Sequence, residues 1–253
     1  MWARVWLQAA RNGIYGDLLS AISAVEQGWQ AHLHERGYAI VPDVVSSSEV
    51  MVLLVAMADL VSRRGRAGVR HVLNHPTVNV IANDRRLLGM AQEVLGPEAF
   101  PFRATLFDKS PESNWLVTWH QDTALPLREK MDIPGWGPWS VKDGTVYAHA
   151  PAFALNQALA LRLHLDESNE RNGPLRVLPA THTLGVLSDE EIARCADERT
   201  AVECFVGKGG IVAMKPLVVH ASSKSAVEMP RRTLHIEYAA NAGTAYPAQL
   251  VTV

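Results

Sequence analysis

The sequence predicts a mainly β protein with flanking helices: a double-stranded β-helix core, of the jelly-roll or cupin-like kind, preceded by an N-terminal helical region. Three observations predict it. From Pro101 onward the chain reads as short apolar runs rich in Val, Leu and Thr, cut by Gly, Pro and Asn, the texture of a many-stranded antiparallel barrel or sandwich. Before that point, residues 17 to 95 carry helix start and stop signals around a single short strand. The length of 253 residues suits one domain. It divides into a helical extension at 1–35, a helical support region at 36–98 and a jelly-roll core at 99–245 with a loop insertion near 126–144.

In chain order, Asp17 can cap a helix running to about His34, and Gly37-Tyr-Ala-Ile-Val-Pro42 reads as a short strand closed by proline. Ser46-Ser-Ser-Glu49 is a capping-box pattern opening the apolar run Val50 to Val61. A third helix is expected from Asp84 to Leu95, stopped by Gly96-Pro97. Strands are expected at Arg103 to Phe107, Leu116 to Trp119, Ala158 to Leu165, Leu175 to Val177, Gly210 to Met214, Leu217 to His220 and Thr233 to Ala239. Between the second and third of these, Pro126 to Gly144 reads as a long aromatic loop of the kind used as a lid.

Composition removes whole classes of function. A formal charge of -2 gives no global attraction to nucleic acid or an anionic membrane. The apolar start from Met1 is interrupted by Arg4 and Arg11, too short to span a bilayer and too broken for a signal-peptide core. Cys195 and Cys204 are the only cysteines in a chain long enough to fold without staples, which points to reduced thiols in a reducing compartment. The expectation is a cytoplasmic monomer or homodimer acting on a small molecule, without nucleic-acid or membrane partners.

Two imidazoles and one carboxylate on one face of an octahedral metal ion leave three positions open for substrates. His-X-Asp at a strand end, closed by a distant His from another strand, supplies that donor set. Trp119-His120-Gln121-Asp122 and Leu217-Val-Val-His220 fit, His220 lying 98 positions after Asp122. A second copy, His164-Leu165-Asp166, ends a strand before the turn Glu170-Arg-Asn-Gly173, and spacing alone does not choose between the copies.

From Gly37 onward the chain closely resembles the phytanoyl-CoA dioxygenase family of Fe(II)/2-oxoglutarate oxygenases. The resemblance lies in Gly37-Tyr-Ala-Ile-Val-Pro-Asp43, Ala104-Thr-Leu-Phe-Asp-Lys109, Trp119-His-Gln-Asp122, Leu165-Asp166 followed by Asn172-Gly-Pro-Leu-Arg-Val-Leu-Pro179 and His182, then His220-Ala-Ser222 and Pro230-Arg231. It implies that His120, Asp122 and His220 hold Fe(II), while Leu165-Asp166 belongs to a structural strand and turn. It implies that Arg231, eleven residues after His220, forks onto the distal carboxylate of 2-oxoglutarate and that Ser222 adds a hydroxyl. Arg232 competes with Arg231, but strand alternation sends the two to opposite faces. Matching strands place Thr105 and Arg162 along the co-substrate pocket.

The same resemblance makes Arg70, within Gly68-Val-Arg-His-Val-Leu73, a candidate for substrate contact. Trp136 and Trp139 are candidates to cap a substrate or to pin their loop. Lys109 is expected to be structural or solvated, His182 to be a hydrogen-bonded turn residue, and Arg63, Arg64 and Arg66 to form a solvated helix end. His71, His75, His149 and His235 are expected to be structural or to face substrate. The implied reaction uses O2 and 2-oxoglutarate to hydroxylate an unactivated C–H bond, releasing succinate and CO2. Asp122 favours a hydroxylase, because related halogenases carry a small residue there. The competing reading is a metal-binding jelly roll that is non-catalytic or independent of 2-oxoglutarate.

Overall fold

A computed structural model describes residues 28–62, 68–110, 113–240 and 250–253. Asp17, the Arg63, Arg64 and Arg66 cluster and residues 241–245 of the expected core lie outside the described residues. Helix α1 (Trp29–Arg36) ends at Gly37, which has φ 82°. A Cβ there would also sit 2.5 Å from Nδ1 of His182, so glycine is required for both conformation and space. Strand β1 (Tyr38–Val41) follows. The expected capping box opens α2 (Ser47–Ala56), with Glu49 N to Ser46 Oγ at 3.2 Å and Ser46 N to Glu49 Oε2 at 2.9 Å. The run to Val61 is not one helix: it breaks at buried Met57 and resumes as the short α3 (Ala58–Ser62).

Strand β2 (Val69–Arg70) is followed by α4 (Pro76–Ala82) and α5 (Arg85–Leu95), the latter capped by Asp84 Oδ1 accepting from Arg86 N at 2.9 Å. Then come β3 (Phe100–Lys109), β4 (Val117–His120), β5 (Ala124–Leu127), β6 (Trp139–Lys142), β7 (Thr145–His149), α6 (Ala152–Leu155), β8 (Ala158–His164) and β9 (Leu175–Leu178). The chain continues through α7 (Asp189–Glu198), β10 (Val202–Cys204), β11 (Ile211–Met214), β12 (Val219–Ser222) and β13 (Arg231–Ala239). The strand expected from Leu217 starts instead at Val219, because Val218 N bonds to the Lys215 carbonyl (3.1 Å) and turns the chain through Pro216.

A six-stranded sheet runs β1-β11-β8-β13-β3-β2 and a four-stranded sheet runs β10-β9-β12-β4; the pairings within both are antiparallel, as in a jelly roll. The larger sheet has two chemically distinct faces. Leu159, Leu161 and Leu163 of β8, Ala104 and Leu106 of β3, and Leu234, Ile236 and Tyr238 of β13 share one buried cluster with helix residues such as Leu33, Val50, Leu87 and Met90. Residues of opposite parity on the same strands are Arg103, Thr105, Phe107 and Lys109, Arg162 and His164, and Arg231, Thr233, His235 and Glu237. Alternation turns them to the other face.

The stretch 126–144 is not simply a loop. Its ends belong to a three-stranded sheet, β5-β7-β6, in which Leu127 pairs with Val146 and Lys142 with Thr145. Pro126 is tolerated because β5 is an edge strand of this sheet. The cluster of Gly and Pro between Pro134 and Pro138 masked the extended segments on either side. Among the described residues, no helix is long and apolar enough to cross a membrane.

Candidate active site

His120 on β4 and His220 on β12 are register partners, so the sheet itself brings the two rings together, their centroids 4.2 Å apart. Each imidazole directs Nδ1 to a carbonyl two residues back, His120 to Thr118 (2.8 Å) and His220 to Val218 (2.9 Å). A carbonyl accepts only, so Nδ1 carries the hydrogen and each Nε2 keeps its lone pair. Both Nε2 atoms face Asp122, at 3.7 Å for His120 and 3.5 Å for His220. One ligand atom from each of the three lies within 4.8 Å of the others, a spacing a metal ion can fill. Burial pulls His220 down to about 4, which keeps it a neutral ligand at pH 7. Burial also opposes charge on Asp122, but His220, His120, His235 and Arg103 outweigh it and hold the carboxyl below its ordinary range.

Gln121 turns away from this centre and is buried, donating to the carbonyls of Leu217 (2.7 Å) and Gly185 (2.9 Å) and accepting from Leu187 N (2.9 Å). Together with Asp122 N bonded to the Pro216 carbonyl (2.9 Å), it fixes the turn carrying the carboxylate. The second His-X-Asp is otherwise engaged. Asp166 takes a bidentate pair from Arg232, at 2.7 and 2.8 Å, and His164 is fully buried without a partner for either ring nitrogen among the described residues. Among those residues, the group of three with metal-ligand spacing is His120, Asp122 and His220.

A cavity of about 230 Å³ opens beside the three ligands. Arg231, Ser222, Thr105, Arg162 and Arg70 all line it. Arg231 is buried, bonded through Nε to the Asn172 carbonyl (3.2 Å) and through Nη2 to Ser222 Oγ (3.3 Å). Arg162 bonds to His235 Nδ1 at 3.3 Å and lies over the Phe107 ring. Trp136 and Trp139 do not line the cavity; they pack in and against the cluster of Leu125, Leu127 and Ala150, the placement of residues that pin their segment. Of the two roles expected for Lys109, structural or solvated, burial removes the second. Only 1% exposed, it reaches into the cavity, where Nζ donates to Ser222 Oγ (2.8 Å) and to the Ser223 carbonyl.

Several lining residues had no motif to announce them. Arg103 and Glu237 form a buried ion pair, and His235 Nε2 lies 3.7 Å from the same carboxylate. His71, at φ 58°, is hydrogen-bonded through Nε2 to the Tyr147 hydroxyl at 2.6 Å, and Lys142 lies over the Tyr147 ring. Strand parity was the available signal: counting by twos from Thr105 and Arg231 reaches Arg103, Lys109, His235 and Glu237. His182, His149 and His75 are engaged elsewhere, with the His34 carbonyl, Thr123 and Asp59 respectively.

A jelly roll with two imidazoles and a carboxylate converging at the mouth of a cation-lined cavity defines a non-haem iron oxygenase of the 2-oxoglutarate-dependent class. The family model for phytanoyl-CoA dioxygenase (PhyH) matches residues 33–233, and the chain belongs to that family. The ectoine dioxygenase of Sphingopyxis alaskensis is 23% identical over 249 residues, covering 83% of this chain and 74% of the relative. The L-proline trans-4-hydroxylase of Streptomyces griseoviridis is 25% identical over 178 residues, 60% of this chain and 59% of the relative, so the chain spans a little over half of that protein. The crystal structure of EctD from S. alaskensis with 2-oxoglutarate and 5-hydroxyectoine superposes with a TM-score of 0.64 at 20% identity, over 84% of this chain and 75% of that one. At that identity the likeness speaks for the fold.

Proposed function

We propose that this protein hydroxylates an unactivated C–H bond of a small molecule, with His120, Asp122 and His220 holding Fe(II) and Arg231 and Ser222 receiving 2-oxoglutarate. The observation that carries the proposal is the pair of free Nε2 lone pairs facing one carboxylate at the mouth of the cavity that Arg231 enters. When bound, iron with 2-oxoglutarate supplies oxidative decarboxylation: one oxygen atom of O2 enters succinate, the other the substrate, and CO2 leaves. The protein's own residues do the rest. The Nδ1 bonds to backbone fix the imidazoles before metal arrives, so little reorganisation is needed. Asp122 occupies the third position with an anion, as a hydroxylase requires. Arg231 offers a planar fork suited to a carboxylate.

The relatives support a small-molecule substrate: one is named for ectoine and another for L-proline. At the cavity mouth Arg70 and Lys142 present cations, so the substrate we favour is a small anion or zwitterion. Cys195 and Cys204 are not joined by a disulfide, in keeping with a cytoplasmic enzyme. The test is anaerobic loading with Fe(II) and 2-oxoglutarate, followed by O2 with ascorbate and a panel of cyclic amino acids. Succinate formed in step with O2 consumed is the expected result. Failure of the loaded protein to bind 2-oxoglutarate at all would refute the proposal.

A further inference from the structure

We propose that His71 is a specificity-determining residue: with Arg70 and Lys142 it forms the site that receives one carboxylate of the substrate at the cavity mouth. This deepens the reading of the protein as an oxygenase of small molecules and rests on it. All three residues line the cavity beside the metal-ligand candidates, Arg70 and Lys142 exposed and His71 half-buried. They come from separate parts of the chain that the strands bring together. Gly68, at φ +123°, lies so close to β3 that a Cβ would fall 2.2 Å from the Leu106 carbonyl, which seats Arg70 opposite Thr105. Lys142 ends β6, and its Nζ lies 5.1 Å from the centre of the Tyr147 ring on β7.

Tyr147 holds His71 in place. The two rings stack with centroids 6.0 Å apart and planes 12° from parallel, and His71 Nε2 meets the Tyr147 hydroxyl at 2.6 Å. Burial keeps the proton on the phenol, and the Arg103 guanidinium beside it makes the hydroxyl a better donor than acceptor. Burial also lowers His71, so the ring is neutral: Nε2 accepts from the phenol and the ring's own hydrogen stays on Nδ1. Among the described residues nothing takes that N–H. Stacking on Tyr147 leaves it unused, and His71 holds it there from φ 58°, a setting unfavourable for most residues that carry a Cβ.

The charges around Tyr147 select the kind of anion. Arg70, Arg103 and Lys142 bring positive charge, while Glu237 and Asp143 bring negative charge, and Glu237 is spent on Arg103. Among the described residues no carboxylate bonds to Arg70 or Lys142. One positive charge is left over, which suits a carboxylate better than a phosphate dianion, and Arg70 offers the planar fork that a carboxylate takes.

The experiment is calorimetric titration of the oxygen-free protein, loaded with Fe(II) and 2-oxoglutarate, with short cyclic and linear carboxylates, each beside its primary amide and the phosphate monoester of the matching alcohol. Wild type is expected to bind the best carboxylates at least about tenfold more tightly than their amides. His71→Gly removes the imidazole while relieving the backbone, and should lose that margin, as should Arg70→Gln and Lys142→Gln. His71→Asn tolerates the same φ and keeps an N–H, so it should recover most of the margin. In every variant 2-oxoglutarate affinity should stay within about twofold. A wild type without preference for carboxylates, or with tighter binding of the phosphates, overturns the proposal. So does a His71→Gly variant that keeps the margin, a His71→Asn variant no better than it, or a matching loss of 2-oxoglutarate affinity in the variants. Failure of wild type to bind 2-oxoglutarate overturns instead the reading on which the proposal rests.

Discussion

Arg231 and Arg232, neighbours in the chain, are held on opposite faces of β13: Arg231 enters the cavity beside Ser222, and Arg232 leaves it to grip Asp166 with its backbone N–H and two guanidinium nitrogens. The same substitution at each position therefore has different consequences. Arg231→Ala is expected to weaken 2-oxoglutarate at least tenfold, about 1.4 kcal/mol, with little change in melting temperature. Arg232→Ala leaves Asp166 without its partner and is expected to cost about 1–3 kcal/mol of stability with 2-oxoglutarate affinity unchanged. Calorimetry and thermal melts on the two variants check both halves.

Removing His220 or Asp122 takes away one of three donors, and His220→Ala or Asp122→Ala should abolish stoichiometric iron retention and succinate formation together. His164→Ala, in the second His-X-Asp, should retain iron. Metal analysis after gel filtration decides: iron bound by the His220 variant but lost from the His164 variant would reverse the assignment.

The co-substrate pocket carries a pH dependence of definite sign. Burial, Arg231 and Arg162 hold Lys109 down at about 7, and the carboxylate of a 2-oxoglutarate received by Arg231 would raise that value. Below about 7 the ammonium is already present and binding takes up no proton. Above it, binding must draw a proton from solution, so affinity falls as pH rises, by at most about tenfold per pH unit for one proton. The other groups around Lys109 do not mimic this: Arg231, lowered to about 9 by burial and Arg162, titrates later, and burial keeps His164 neutral throughout. Dissociation constants measured between pH 6 and 9 should show the slope in wild type and a flat line in Lys109→Met up to about 8.

The buried pair of Arg103 and Glu237 joins β3 to β13 within the cavity wall. Glu237→Gln leaves the guanidinium without an anion and should cost about 3–5 kcal/mol, read as a lower denaturation midpoint at unchanged m-value. A loss below about 1 kcal/mol would mean that solvent reaches Arg103 freely.

The architecture was legible because its signals were local. Ser46 and Glu49 announced a helix start, Asp84 and Gly96 bounded another, and the Val- and Leu-rich runs marked the strands. The metal-ligand candidates were legible because His120 and Asp122 lie two apart in one box and His220 ends another apolar run, and the resemblance chose them over His164 and Asp166. What escaped depended on long-range pairing. Lys109 could be read as solvated because its burial depends on β12 and β13, over a hundred residues away. Whether Trp136 and Trp139 cap a substrate or pin their segment was open in the sequence, because aromatic loop residues carry no mark of which side they face. The extended segments at either end of 126–144 were hidden by glycines and prolines that belong only to the turn between them.

The hydrogen-bonded sheet β5-β7-β6 in that region has a consequence for how this enzyme chooses among molecules. Tyr147 and Lys142 sit on strands whose ladder fixes their backbone, so a guest meeting them would face side chains on a rigid palisade. Re-tailoring it for another guest is then a matter of changing the slats. If that wall stays fixed, turnover should keep pace with the chemistry in viscous solvent, because the paired strands need not swing aside before product departs.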